Sequence, residues 1–130
     1  ATWGVDNRTC ALRVLNESAQ ATRVEFRVPG SDINPYLAIA ASIAAGLYGI
    51  ENKLELTQSP VKGNAYDDTK AAKFPANLQE AALQFKASPL ANELFGESFV
   101  HHFAQSRLWE YRSFVSKVTD WELKRYFETI

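Results

Sequence analysis

The segment Arg23-Val24-Glu25-Phe26-Arg27-Val28-Pro29 carries the densest chemistry in this sequence. Read as a strand it alternates strictly: Arg23, Glu25 and Arg27 point to one face, Val24, Phe26 and Val28 to the other. Two guanidiniums flanking a carboxylate on a rigid strand make a preorganised surface for an anion and a metal ion together. Two further arginines, Arg8 and Arg13, sit just upstream. These five charged groups, backed by an apolar layer, have the makings of half of a phosphate-handling active site. The bland alternative is an exposed sheet face with cross-strand Arg–Glu pairs, worth only about 0–1 kcal/mol.

The elements that must position these groups follow from the pattern around them. Ala11 to Leu15 reads as one strand, Asn16 to Gln20 as a polar loop, and Ala21 to Val28 as the second strand, an antiparallel hairpin. Pro29-Gly30-Ser31-Asp32 ends it. Asn34 is a good N-cap and Pro35 suits the first helical position, so a helix is expected over 35–52. It is apolar on all sides and must be surrounded by other structure, with Gly46 and Gly49 allowing a close neighbour. Residues 53–76 read as a long polar loop, of the kind that is commonly functional or packed on a partner.

Helices are expected over 77–87, 89–95, 97–118 and 120–130. Asn77 with Glu80, and Thr119 with Glu122, have capping-box spacing, and Val118 with Leu123 that of a hydrophobic staple. Ile130 would complete the apolar face of the last helix. The fold class is therefore α+β: a short antiparallel strand pair followed by four or five helices.

Composition narrows the function. With 130 residues, 46% hydrophobic and 22% charged, the chain is at most one ordinary globular domain with a real core. A net charge of -1 argues against nucleic-acid binding. The longest apolar run, Tyr36 to Ile50, falls short of the about 20 residues a membrane span needs, so no membrane partner is expected. A single cysteine, Cys10, excludes an intrachain disulfide and favours a reducing, cytoplasmic setting. Nothing local activates Cys10 as a nucleophile, and a small strand residue is the better account. His101 and His102 are adjacent, whereas a helical zinc site wants i, i+4 spacing, so they read as surface residues. Trp109, Tyr111, Trp121, Tyr126 and Phe127 lack a basic surface between them and read as core or subunit packing rather than a base-stacking platform. The chain contains no methionine and opens directly on strand-like sequence, the pattern expected of a segment lying inside a larger domain.

Asn7-Arg8-Thr9-Cys10-Ala11-Leu12-Arg13, then Arg23 to Pro29, then Asn34-Pro35-Tyr36-Leu37-Ala38, then Ala45-Gly46-Leu47-Tyr48-Gly49-Ile50 resemble the C-terminal part of glutamine synthetases. Order, spacing and residue type agree together, and the resemblance extends more loosely to Ile130. Trp121 to Phe127 is similar to a bacterial-type branch that includes γ-glutamyl-amine ligases. The resemblance implies an ATP-dependent ligase that makes γ-glutamyl phosphate and lets ammonia or an amine displace phosphate. It implies ATP and Mg2+ or Mn2+ as cofactors, glutamate and ammonia or an amine as substrates, and a homo-oligomer.

Residue by residue, the resemblance implies that Arg8 is catalytic, contacting the transferring phosphate. Arg13 would bind ATP phosphates, Arg23 would lie against the nucleotide, Glu25 would be a metal ligand, and Arg27 would clamp glutamate. Ser18 to Thr22 lacks the basic residue the family often has near the nucleotide. Tyr66 stands roughly where some bacterial members carry a modifiable tyrosine, but its flanks differ. The family's N-terminal domain, its other metal ligands and its ammonium-site glutamate would lie upstream of Ala1, so this stretch alone is expected to be inactive. The rival reading is a non-catalytic structural or assembly protein of the same fold, which has no need to keep all five charged positions.

Overall fold

The computed structural model describes residues 2–129, which fall into two compact units, Ala1–Lys73 and Phe74–Ile130. Ala1 and Ile130 lie outside the described residues, and with them the expected place of Ile130 on the last helix. The α+β class holds. The first unit carries strands β1 (Trp3–Val5), β2 (Leu12–Leu15) and β3 (Arg23–Phe26), then helix α1 (Pro35–Glu51) and a 3-10 turn at Ala65–Asp67. The second carries α2 (Leu78–Ala87), α3 (Pro89–Phe95), α4 (Glu97–Val115) and α5 (Asp120–Tyr126).

The sheet order is β1-β2-β3. β2 and β3 form the expected antiparallel hairpin, with Arg13 opposite Glu25 and Val14 opposite Val24. The second strand is shorter than its alternation suggests. Ala21 and Thr22 are drawn into a turn, both donating their N–H to the Ser18 carbonyl at 3.1 and 2.9 Å. β1 pairs with β2 in parallel, Trp3 opposite Leu12, across the short connection Asp6–Ala11. The N-terminal segment thus covers one edge of the hairpin. The loop after α1 covers β1 in turn: Val61 N–H donates to the Trp3 carbonyl at 2.9 Å, and Trp3 Nε1–H to the Gln58 carbonyl at 2.8 Å. Gly4, Cys10, Leu15 and Ala65 are the buried residues of this unit.

Helix α1 starts as its sequence dictates, with the Asn34 side chain accepting from the N–H groups of Tyr36 and Leu37 and Pro35 at the first position. It ends with Lys53 in the left-handed region (φ 50°), while Leu54 N–H reaches the Gly49 carbonyl and Lys53 N–H that of Ile50. That is a Schellman closure without its usual glycine. The expected enclosure of this helix is absent among the described residues: none of its side chains is buried, and Ile39, Ile43 and Leu47 are more than half exposed. Nothing lies within 4 Å of a Cβ placed on Gly46 or Gly49. An all-apolar helix identifies itself by composition, but its cover must come from elsewhere.

In the second unit, α2, α3 and α4 pack around Ala82, Ala91, Val100 and Ala104. Phe85, Phe95, Phe99 and Phe103 form a chain of ring contacts with centroids 5.7 to 6.3 Å apart, a geometry favourable for aromatic pairs. Asn77 caps α2 by accepting from Glu80 N–H, and Glu80 returns to the Asn77 side-chain amide and to Ala76 N–H rather than to the backbone N–H of the cap. The Thr119–Glu122 box forms fully. Both residues of the expected staple, Val118 and Leu123, are exposed. Helix α4 stops at Val115, short of Val118, because Lys117 N–H turns back onto the Phe114 carbonyl and Ser116 Oγ onto that of Ser113. Trp109, Trp121, Tyr126 and Phe127 are exposed in this chain rather than core; the Trp121 ring meets that of Tyr126 edge-on at 6.2 Å. No helix among the described residues is long and apolar enough to cross a membrane.

Candidate functional site

The face of the sheet that carries charge is built by the pleat of β2 and β3. Register sets Arg13 directly across from Glu25, and alternation sets Arg23 and Arg27 on the same side of the strand. Glu25 becomes the centre of the group. Its Oε2 accepts from Arg13 Nη1 at 3.0 Å and lies 3.9 Å from Arg27 Nη1, and its Oε1 accepts from Arg23 Nη2 at 3.2 Å. Arg27 Nε donates to the backbone carbonyl of Arg8 at 3.1 Å, which ties the fifth expected residue to the cluster through its main chain. The Arg8 guanidinium is exposed and enters none of the ion pairs among the described residues. Four of the five charged groups are therefore brought together by side chains, and the fifth by its backbone.

Three residues outside that set hold it in place. Asp6 accepts from Arg13 through both Nε, at 3.1 Å, and Nη2. Asn7 donates to the carbonyls of Val61 (3.3 Å) and Gly63 (2.8 Å), while its Oδ1 accepts from Thr9 N–H and Thr9 Oγ1. Thr9 Oγ1 in turn accepts from Ala65 N–H at 2.8 Å. Arg8 thus sits between two residues pinned to the loop that also covers β1. An Asn and a Thr flanking an Arg are ordinary turn formers by type, so only their hydrogen-bond partners mark them out.

The electrostatics follow from the contacts. The Arg13 hydrogen bond holds the Glu25 carboxyl below the usual carboxylate range, against the opposing effect of partial burial, with Arg23 adding to it. The Asp6 carboxyl is lowered for the same first reason, its hydrogen bond from Arg13. Arg13 itself is raised, by Asp6 first and Glu25 second. All three are ionised at neutral pH, and the cluster as a whole carries excess positive charge. Such an array suits a polyanion.

A magnesium-type ion takes about six oxygen ligands. Among the described residues no group of three His, Cys, Asp or Glu side chains could hold one. Glu25 supplies a single carboxylate, with Asp6 bound to Arg13, the same arginine that holds Glu25. The chain fits one ligand's share of a divalent site. The recess lined by Trp3, Val14, Val24 and Leu56, about 400 Å³, takes in none of the five charged residues. His101 and His102 are exposed beside Glu97 and Gln105, as surface residues. Cys10 is buried in the bend before β2 rather than in a strand. Tyr66 is 80% exposed on the 3-10 turn.

The glutamine synthetase catalytic-domain model matches residues 1–126. The chain is 54% identical over 132 residues to type-1 glutamine synthetase 2 of Dictyostelium discoideum, covering 99% of this chain and 25% of that protein. It is 47% identical over 132 residues to a glutamate–isopropylamine ligase of a Pseudomonas species, covering 100% of this chain and 28% of that one. Among solved structures, apo GmaS without ligand superposes with a TM-score of 0.78 at 30% identity, over 98% of this chain and 30% of that one. The chain spans between a quarter and three tenths of the length of these proteins.

Proposed function

Since the chain belongs to the glutamine synthetase catalytic-domain family, we propose that it supplies one wall of the active site of an ATP-dependent carboxylate–amine ligase. The observation that carries this reading is the convergence of Arg13, Arg23 and Arg27 on Glu25, with Arg8 joined through its backbone. Phosphoryl transfer is chiefly positioning plus neutralisation of spread negative charge, and guanidinium forks supply both. In this reading Arg8 meets the transferring phosphate, Arg13 faces the phosphates of ATP, and Arg23 lies against the nucleotide. Arg27 clamps the carboxylate of glutamate.

Glu25 would be one ligand to a Mg2+ or Mn2+ ion, whose chemistry when bound is to neutralise phosphate charge. The remaining ligands and the amine pocket would belong to the part of the polypeptide that the longer relatives carry and this chain does not. A homo-oligomer is the corresponding assembly. The acceptor is ammonia or an amine; relatives named for isopropylamine and for ethanolamide define the range to try.

The test is ADP formation by the full-length protein with glutamate and a panel of ammonia, isopropylamine and ethanolamine. Glutamate- and acceptor-dependent ADP release is the expected result, and its absence across the panel would favour a structural role. The 130-residue chain alone should be silent and bind ATP on the order of millimolar, as two or three open phosphate contacts allow. Micromolar binding would mean that it holds a complete site.

A further inference from the structure

Arg27 is aimed from a distance. Arg23, on the same side of the sheet, turns its Nη1 to the Ala21 carbonyl two residues away. The partner of Arg27 Nε is the Arg8 carbonyl, nineteen residues away in the chain, at 3.1 Å. The Arg27 main chain is held by the same bend, its N–H donating to the Ala11 carbonyl at 2.8 Å. With Nε committed and Nη1 3.9 Å from Glu25 Oε2, the fork formed by the two Nη groups is what an incoming carboxylate meets. A guanidinium is planar and rigid, so where that fork points depends on where residue 8 places its carbonyl.

Asn7 ties that bend down. Its Oδ1 accepts from Thr9 N–H at 3.0 Å and from Thr9 Oγ1 at 2.7 Å, and its main-chain carbonyl accepts from Cys10 N–H at 3.4 Å, so the turn closes around Arg8. Its Nδ2 reaches across to the carbonyls of Val61 and Gly63, and Thr9 Oγ1 accepts from Ala65 N–H. Both neighbours of Arg8 are half-buried, while Arg8 itself is exposed. We propose that Asn7 is a positioning residue for the carboxylate clamp: by fastening the turn at Arg8 to the loop over 61–65, it fixes the carbonyl that aims Arg27. This deepens the ligase reading and rests on it for the carboxylate being that of glutamate. Asn7 touches no reacting group and acts on glutamate through the Arg8 carbonyl and Arg27.

The experiment is steady-state ADP release by the full-length protein, with glutamate, ATP and acceptor each varied, joined to crystal structures of the unaltered protein and of Asn7→Ala. Asn7→Ala should raise the KM for glutamate about 3- to 10-fold, as the loss of one orienting hydrogen bond implies, and leave the KM for ATP in place. Thr9→Val, which breaks the same turn, should follow it; Thr9→Ser, which keeps the hydroxyl, should restore the parent value. In an Arg27→Ala background, Asn7→Ala should add nothing to the glutamate KM. A residue serving stability alone would lower turnover through the folded fraction and leave that KM unchanged. That pattern, or an equal rise in KM with and without Arg27, overturns the role given to Asn7. So does a structure of the unaltered protein with Arg27 Nε away from the Arg8 carbonyl, which needs no variant to fold. If the unaltered protein releases no ADP with any acceptor, the ligase reading falls. The aiming of Arg27 is then decided by the crystal structures: it stands if Nε leaves the Arg8 carbonyl in Asn7→Ala and falls if Nε stays.

Discussion

Arg13 and Glu25 stand directly opposite each other on β2 and β3, joined Nη1 to Oε2 at 3.0 Å, with Asp6 on the same guanidinium. Both carboxyls are lowered in the folded chain, first by their hydrogen bonds from Arg13. A group with a lowered folded value contributes stability that is fully present above its unfolded value and is lost as pH falls through the folded one. Arg13, being raised, keeps its charge throughout that range. Arg13→Met should therefore be less stable than the parent at neutral pH, and the gap should close beneath the ordinary carboxylate range. Urea midpoints at pH 7 and about pH 2 would show it. A gap undiminished in acid would assign the stabilisation to packing of the arginine stem.

Asn7 and Thr9 fasten the loop around Val61–Ala65 to the segment that carries Arg8. Asn7→Ala removes two donors and one acceptor in partly buried surroundings, at about 1–3 kcal/mol. Amide hydrogen exchange should accelerate at Ala65, bonded to Thr9, and at Val61, bonded to Trp3, with α2–α4 unaffected. Unchanged protection at both amides would show that the loop is held by other means.

Glycines on the two sides of the first unit should respond oppositely to alanine. A Cβ on Gly4 would stand 2.9 Å from Asn7 Cβ and 3.1 Å from both Cys10 Sγ and the Val61 carbonyl oxygen, so Gly4→Ala overpacks at about 1–3 kcal/mol. Gly46→Ala meets nothing and should stabilise this chain by about 1 kcal/mol. Lys53→Gly should do the same by about 1 kcal/mol, since Lys53 holds a left-handed conformation. Denaturant midpoints decide all three; a stabilised Gly4→Ala would contradict the packing around Cys10.

In the full-length protein, Arg27→Ala should raise the KM for glutamate by about 10- to 100-fold, the loss of a charge-assisted carboxylate contact. Glu25→Ala should instead lower turnover, by about 100-fold or more, with a smaller effect on glutamate. Near-normal turnover in Glu25→Ala would remove it from the metal site, and an unchanged glutamate KM in Arg27→Ala would leave that carboxylate to another residue.

The hairpin, its charged face and most helix starts were legible because each is written in a local pattern. Period-two alternation fixes which way Arg23, Glu25 and Arg27 point, and Asn34, Asn77 and Thr119 announce the turns they cap. β1 was not legible: Trp3-Gly4-Val5 is too short to alternate, and its parallel partner is set by the path of the connection rather than by pattern. Asp6 is a lone acid between Val5 and Asn7, and its role appears only once the chain folds Arg13 against it. The exposure of α1 was hidden for the opposite reason. Its composition states that it wants cover, and composition carries no information on which polypeptide provides it.

Parallel strands joined directly usually need a connection of about a dozen residues or more. Here only Asp6–Ala11 lies between β1 and β2, and those few residues turn the chain around while carrying Asp6, Asn7, Arg8 and Thr9. Such a thread has no slack. An inserted residue would have to lift Arg8 away from the carbonyl contact with Arg27, or Thr9 away from Ala65. Insertions and deletions across homologues should therefore collect in 53–64 and in the hairpin loop, and spare this crossing. Evolution is freer to change what these residues are than how many of them there are.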